Sequence, residues 1–151
     1  MQIMVAYDDS RNAKLALTQV VSMFGKLNPI ILLVGVVENP GDYTDANETL
    51  FNQEKDELKQ GIDKALDFCK KEGLVAQAII AEGDARKMIL AATKKHMPDI
   101  LVVARHSHQP DAGFIAKSLT YFIDEVDYMT FGSVSAFLAR RVECPLLILP
   151  S

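Results

Sequence analysis

The chain of 151 residues reads as an α/β protein: a doubly wound parallel sheet of five strands with helices on both faces. Three observations predict this class. Short, continuously apolar runs recur along the chain, as in strands buried on both sides of a parallel sheet. Between them lie longer segments whose apolar residues fall at i, i+3 and i+4, the spacing of amphipathic helices. The two kinds alternate from one end to the other, which is the mark of parallel strands joined by right-handed helical crossovers.

The first strand covers Ile3 to Tyr7 and stops at Asp8-Asp9-Ser10, a polar cluster that offers N-caps to a helix. Ala13, Ala16, Leu17, Val20 and Phe24 then mark a first helix, with Gly25 as its expected stop. Pro29 leads into the second strand, Ile30 to Val37, and Asn39-Pro40-Gly41-Asp42 is a loop by composition. Thr44 or Asp45 caps a long second helix to about Lys71, with Leu58, Ile62, Ala65 and Cys69 on its inner face. Gly61 is the weak point of that helix, costing about 1 kcal/mol relative to alanine. Leu74 to Ala81 forms the third strand. Glu82-Gly83 turns the chain, and Asp84 caps a third helix with Ala85, Met88, Ile89 and Ala92 inside. Asp99 precedes the fourth strand, Ile100 to Ala104. There the rhythm breaks. A long connection, Arg105 to Phe131, comes before Gly132 opens a fourth helix that ends near Arg141, and Pro145 to Leu149 is the last strand.

The length is that of one domain, residues 1–151, with an insertion at about 105–131. Hydrophobic content of 49% and charged content of 24% are those of a globular protein. A net charge of −4 leaves no electrostatic footprint for nucleic acid. No apolar run approaches the roughly 18 residues of a membrane span, so neither nucleic acid nor membrane is expected as a partner. Cys69 and Cys144 show no metal or redox spacing and read as small buried thiols. The chain starts directly on strand residues without a signal-peptide pattern, and a cytoplasmic location is expected.

The candidate site lies at Phe131-Gly132-Ser133-Val134-Ser135. A glycine lets backbone approach a ligand closely, and two hydroxyls at a helix N-terminus favour an anion. The competing reading is a plain N-cap, worth about 1 kcal/mol. Ligands of doubly wound sheets sit outside the strand C-termini where strand order reverses. The Gly132 turn and the ends of strands one, two and four are therefore the places to look. His106, His108 and Asp111 invite a metal reading, but they lack a fourth ligand of recognisable spacing, and no metal is expected. His96 reads as a helix C-terminal residue favoured by the dipole.

Five pieces, in their order and spacing, resemble the universal stress protein family over nearly the whole chain. They are Val5-Ala6-Tyr7-Asp8-Asp9-Ser10, Glu82-Gly83-Asp84-Ala85, Asp99 to Val103, Gly132 to Ser135, and Cys144 to Leu149. The resemblance implies strand order 3-2-1-4-5 in an adenine nucleotide alpha-hydrolase-like fold. It implies a cytosolic regulatory or binding role in stress response, and a homodimer formed through Pro145 to Leu149. ATP or AMP would be the ligand, with Asp8 on the adenine or ribose side and Val36 lining the base pocket. Gly132, Ser133, Val134 and Ser135 would hold phosphate. ATP-binding members carry G-x2-G-x9-G-[S/T] after the fourth strand. Here the first two glycine positions are Ala104 and Ser107. The spacer to Gly132 is longer by about fifteen residues, an insertion of a size loops tolerate. Cβ atoms at Ala104 and Ser107 crowd a phosphate-wrapping loop, so the expectation is a degenerate site with weak adenine-nucleotide binding.

The insertion carries Phe114, Leu119, Tyr121, Phe122, Ile123, Tyr128 and Phe131, too many aromatics for a disordered linker. Ser118 to Val126 has the pattern of a short helix. A flap packed on its own domain, a lid over the site and an added dimer contact are its three readings. For function, a regulatory binding protein stands against an ATP-binding member with slow nucleotide hydrolysis or phosphoryl transfer. No nucleophile–base pair, Walker-type lysine or metal-carboxylate cluster is visible, so no catalytic residue is assigned. A dinucleotide module fails at the first turn, where Asp8-Asp9-Ser10-Arg11 has no glycine.

Overall fold

A computed structural model of the chain describes residues 1–38, 45–105 and 133–150. The strands are β1 (Gln2–Ala6), β2 (Ile30–Val37), β3 (Ala76–Glu82), β4 (Ile100–Ala104) and β5 (Leu146–Leu149). The helices are α1 (Arg11–Phe24), α2 (Asp45–Lys71), α3 (Ala85–His96) and α4 (Ser133–Ala139). All strand pairs are parallel and the order is β3-β2-β1-β4-β5, as expected. The insertion, with the helix expected at 118–126, and His106, Ser107, His108, Asp111 and Gly132 lie outside the described residues.

Alternation along the strands divides the core in two. Ile3, Val5, Ile31, Leu33 and Val102 point to one face, where Ala13, Leu17 and Val20 of α1 and Leu58, Ile62 and Cys69 of α2 cover them. Met4, Leu32, Val34, Leu101 and Val103 point to the other, against Ile89 of α3 and Leu138 of α4. Burial of Cys69 pushes its thiol up to about 11, leaving it a protonated core group. Each helix runs back against the strand direction. Strand C-termini and helix N-termini therefore share one edge of the sheet, and β1 and β4 part there because their crossovers leave to opposite faces.

The helix ends follow from local chemistry. Ser10, in extended backbone, accepts from the Ala13 N–H at 3.1 Å and starts α1. Asp84 does the same for α3, accepting from the Arg86 and Lys87 N–H groups. Gly25 caps α1 as expected, directly after Phe24, but not by a left-handed turn. It remains right-handed (φ −54) and passes into a 3-10 turn, Gly25–Leu27, and the left-handed residue is Asn28 at φ 48. Asparagine tolerates that conformation, so the turn needs no glycine.

Gly61 is not a weak point but a fitting. Asp9 sits in left-handed backbone at φ 62, with its carboxylate accepting from the Tyr7 hydroxyl at 3.3 Å and paired with Lys14 Nζ at 3.1 Å. A Cβ on Gly61 would lie 2.2 Å from Asp9 Cγ and 2.6 Å from its Cβ. Across the same interface, a Cβ on Gly35 of β2 would stand 2.7 Å from Ile62 Cδ1. Helix α2 thus lies close on the sheet because both contact points lack side chains. Burial, and then the Asp9 charge, hold the Tyr7 phenol far above its usual range.

Gly61→Ala should destabilise the protein by about 1–3 kcal/mol, the usual result of overpacking. Asp9→Gly suits the positive φ and removes the colliding side chain, so the double variant should recover most of the loss. Urea unfolding of the four proteins measures this coupling. An additive outcome would mean that Asp9 and Gly61 do not meet.

Candidate functional site

At the edge where β1 and β4 part, the chain encloses a cleft of about 350 Å³. That is the lower end of the range for small-molecule sites. Ala6, Val34, Val36 and Val103 form its floor, all from the strand face that meets α3 and α4. Ala85 and Ile89 from the first turns of α3 make one wall, and Val134 and Ser135 of α4 make the other. Asp8 and Glu38, just beyond the ends of β1 and β2, stand at the polar rim. Among the described residues the result is a largely apolar slot with the carboxylates of Asp8 and Glu38 at its mouth and the Ser135 hydroxyl in its side.

Local bonds fix these walls. Asp8 accepts from the Ser10 N–H at 3.0 Å, a turn that holds its carboxylate at the end of β1. Asp84 takes Arg86 Nε at 3.1 Å and Nη2 at 2.6 Å. This partner is the main reason the Asp84 carboxyl is drawn down to about 2, and Arg86 is correspondingly held charged. Glu38 adds its field to Arg86. The Arg86 guanidinium also lies 5.8 Å from the centroid of the Phe137 ring, and that of Arg141 lies 4.1 Å from it. Cation–π contact therefore joins α4 to α3 beside the apolar packing of Ile89 and Leu138.

Of the residues expected at a site, Asp8, Val36, Val134 and Ser135 converge on this cleft. Ser135 is only 4% exposed and sits in its wall. Ser133 is the first residue of α4, and its side chain lies outside the described part, as does Gly132. Ala104, at the altered glycine position, lines the cleft from the end of β4, in register with Leu149. Its backbone is extended, so a methyl group costs no strain there; it takes up space. Glu38, Ala85, Ile89 and Val103 were not foreseen. Glu38 had a readable signal, being the first polar residue after an apolar strand. The α3 residues looked like ordinary core. Among the described residues no group of three or more His, Cys, Asp or Glu side chains is placed to hold a metal.

The arrangement suits a flat, largely apolar ring held between Val36 and Ile89, with hydroxyl or amino groups donating to Asp8 and Glu38. It opposes a high density of negative charge. Residues 1–150 match the model of the universal stress protein family. Among solved structures, the universal stress protein UspA from Lactobacillus plantarum superposes with a TM-score of 0.77 at 17% identity, covering 99% of this chain and 97% of that one. A universal stress protein family protein from Arabidopsis thaliana with AMP bound gives 0.69 at 21% identity, over 99% and 91% of the two chains. A universal stress protein in complex with cAMP gives 0.66 at 18%, over 99% and 96%. No curated protein matches the chain by sequence.

Because the Asp84 pKa falls on folding, from 3.8 to about 2, its ionised form stabilises the fold above pH 3.8 and that support disappears as the pH drops towards 2. Asp84→Asn keeps an N-cap and removes this proton linkage. Thermal unfolding across pH 5 to 2 should therefore fall less steeply for the variant than for the natural protein. Equal slopes would show that the Asp84–Arg86 pair contributes nothing in solution.

Proposed function

The chain belongs to the universal stress protein family, and on that premise we propose that it is a cytoplasmic regulatory protein that binds an adenine nucleotide weakly and does not turn it over. The observation that carries this reading is the convergence of Asp8, Val36, Val134 and Ser135 on one cleft at the point where strand order reverses. In the proposed complex adenine occupies the slot over Val36, and the ribose or base amine donates to Asp8. Phosphate lies towards the start of α4, with Gly132, Ser133 and Ser135 as its donors. Relatives of the same fold with AMP or cAMP bound support the ligand class. The Cβ of Ala104 and the rim carboxylates of Asp8 and Glu38 support low affinity, and a monophosphate at least as good as a triphosphate.

The protein is further proposed to work as a homodimer through β5. Among the described residues this strand pairs with β4 on one side only, and Leu146, Leu147 and Ile148 are half-buried at the sheet edge. An apolar edge strand is an aggregation hazard unless something pairs with it. A two-fold axis beside β5 would supply the same strand of a second copy.

Calorimetry should give a Kd of roughly tens of micromolar or weaker for AMP, with ATP no tighter. Asp8→Ala and Val36→Phe should each remove binding, and Ala104→Gly should improve it. Nanomolar ATP binding, or steady phosphate release under the same conditions, would defeat the proposal. For the assembly, Leu147→Glu should yield monomer or insoluble protein by light scattering. A stable dimer of that variant would put the interface elsewhere.

A further inference from the structure

The sheet edge opposite the cleft gathers the strand N-termini and helix C-termini, and its turn tips hold aliphatic side chains out in water. Leu27 is 65% exposed, Val75 62% and Met97 81%. Backbone bonds set these tips side by side. The Ile30 N–H donates to the Met1 carbonyl at 3.0 Å, the Ile31 N–H to Val75 at 2.9 Å, and the Asp99 N–H to Gln2 at 3.0 Å. Met97 is also an odd choice for the fold. It closes α3 in left-handed backbone at φ 45, where glycine or asparagine carries least strain.

Around these tips the charge is basic. The last turns of α2 and α3 carry Lys70, Lys71, Lys94 and Lys95, and the 3-10 turn after α1 carries Lys26. All five are exposed, and none joins an ion pair among the described residues. Asp67, Glu72 and Asp99 stand against them, Asp99 accepting from the Gln2 N–H at 2.7 Å; Arg140 and Glu143, on the approach to β5, offset each other. Helix dipoles favour lysine at these ends but give no reason for aliphatic tips among them. In a chain of net charge −4, this pole is the basic one.

We propose that the pole is a docking surface for an anionic lipid bilayer. The aliphatic tips enter the headgroup region and the lysines meet acidic headgroups. Composition decides against a protein partner. Protein interfaces concentrate aromatic residues and arginine and avoid lysine, and here lysine and aliphatic residues hold the surface. A second copy would set five lysines against five. The absence of a helix long and apolar enough to cross a membrane rules out spanning by the described helices and leaves peripheral contact open; the proposal departs to this extent from the expectation of no membrane partner. Docked this way, the cleft faces away from the bilayer.

Sedimentation of the full chain with vesicles tests the proposal. Vesicles with about 30% phosphatidylserine should bind it, pure phosphatidylcholine should not, and salt at about 0.5 M should release it. Lys94→Glu with Lys95→Glu should weaken binding about tenfold or more. Met97→Gly relieves the left-handed backbone, so its Tm should hold or rise while vesicle binding falls about threefold. No binding to anionic vesicles, equal binding to neutral ones, or an unchanged Met97→Gly protein would each overturn the proposal. So would self-association abolished by the same lysine reversals, which would make the pole a contact between copies.

Discussion

One constraint governs the rest of the molecule: in an all-parallel sheet every connection must return to the edge from which the strand began. Helices are the economical way back, and they run against the strands. The two edges are therefore chemically unlike. One gathers strand ends, helix N-termini and their donor groups, and the other gathers helix C-termini and the cations they favour. The cleft of Asp8, Val36 and Ser135 lies at the first edge. The lysine-rich tips lie at the second. Neither placement needs a special device, because both follow from helices that run back against parallel strands.

Where the first crossover leaves β1, the chain needs a sharper fitting. The backbone must turn from strand to helix within a few residues, and Asp9 does so in a conformation that disfavours a Cβ-bearing residue. What holds it is a small polar set: the Tyr7 hydroxyl, the Lys14 ammonium and the missing side chain of Gly61. The neighbouring Asp8 is thereby left at the mouth of the cleft. One acid of the pair serves the seating of α2, and the other lines the cleft.

Much of this was legible in the residues. Apolar runs such as Ile31 to Val34 and stripes such as Ala13, Leu17 and Val20 fix element type because burial on one or both faces leaves a period in the sequence. Strand order came from a family resemblance, since alternation alone does not say on which side of β1 each crossover lands. Gly61 was misread because helix propensity is a local quantity, whereas the reason for this glycine is a residue far away in the chain, Asp9. Gly25 was read correctly as the end of α1, but its backbone stays right-handed, and the left-handed turn falls to Asn28 after a 3-10 turn. In the cleft, Asp8 and Val36 came from the family resemblance, at strand ends that a doubly wound sheet already singles out. Ala85 and Ile89 were not visible, because a helix residue facing a cleft and one facing a packed core carry the same apolar signature.

The electrostatics of the cleft set the class of ligand it can favour. A helix N-terminus contributes about 0.3–1 kcal/mol towards a negative charge near its first turn, and α4, at seven residues, is a short source of that field. Asp8 and Glu38 act against it from the rim. The nearest cation of α3, Arg86, is already committed to Asp84. A phosphate at the cleft would thus meet the α4 N-terminus and the rim carboxylates of Asp8 and Glu38 at once. Binding energy then has to come from the apolar floor, at roughly 25 cal/mol per Å² of ring surface removed from water. In the proposed complex, a nucleotide would then be selected by its base and sugar, and its phosphates would be tolerated rather than sought.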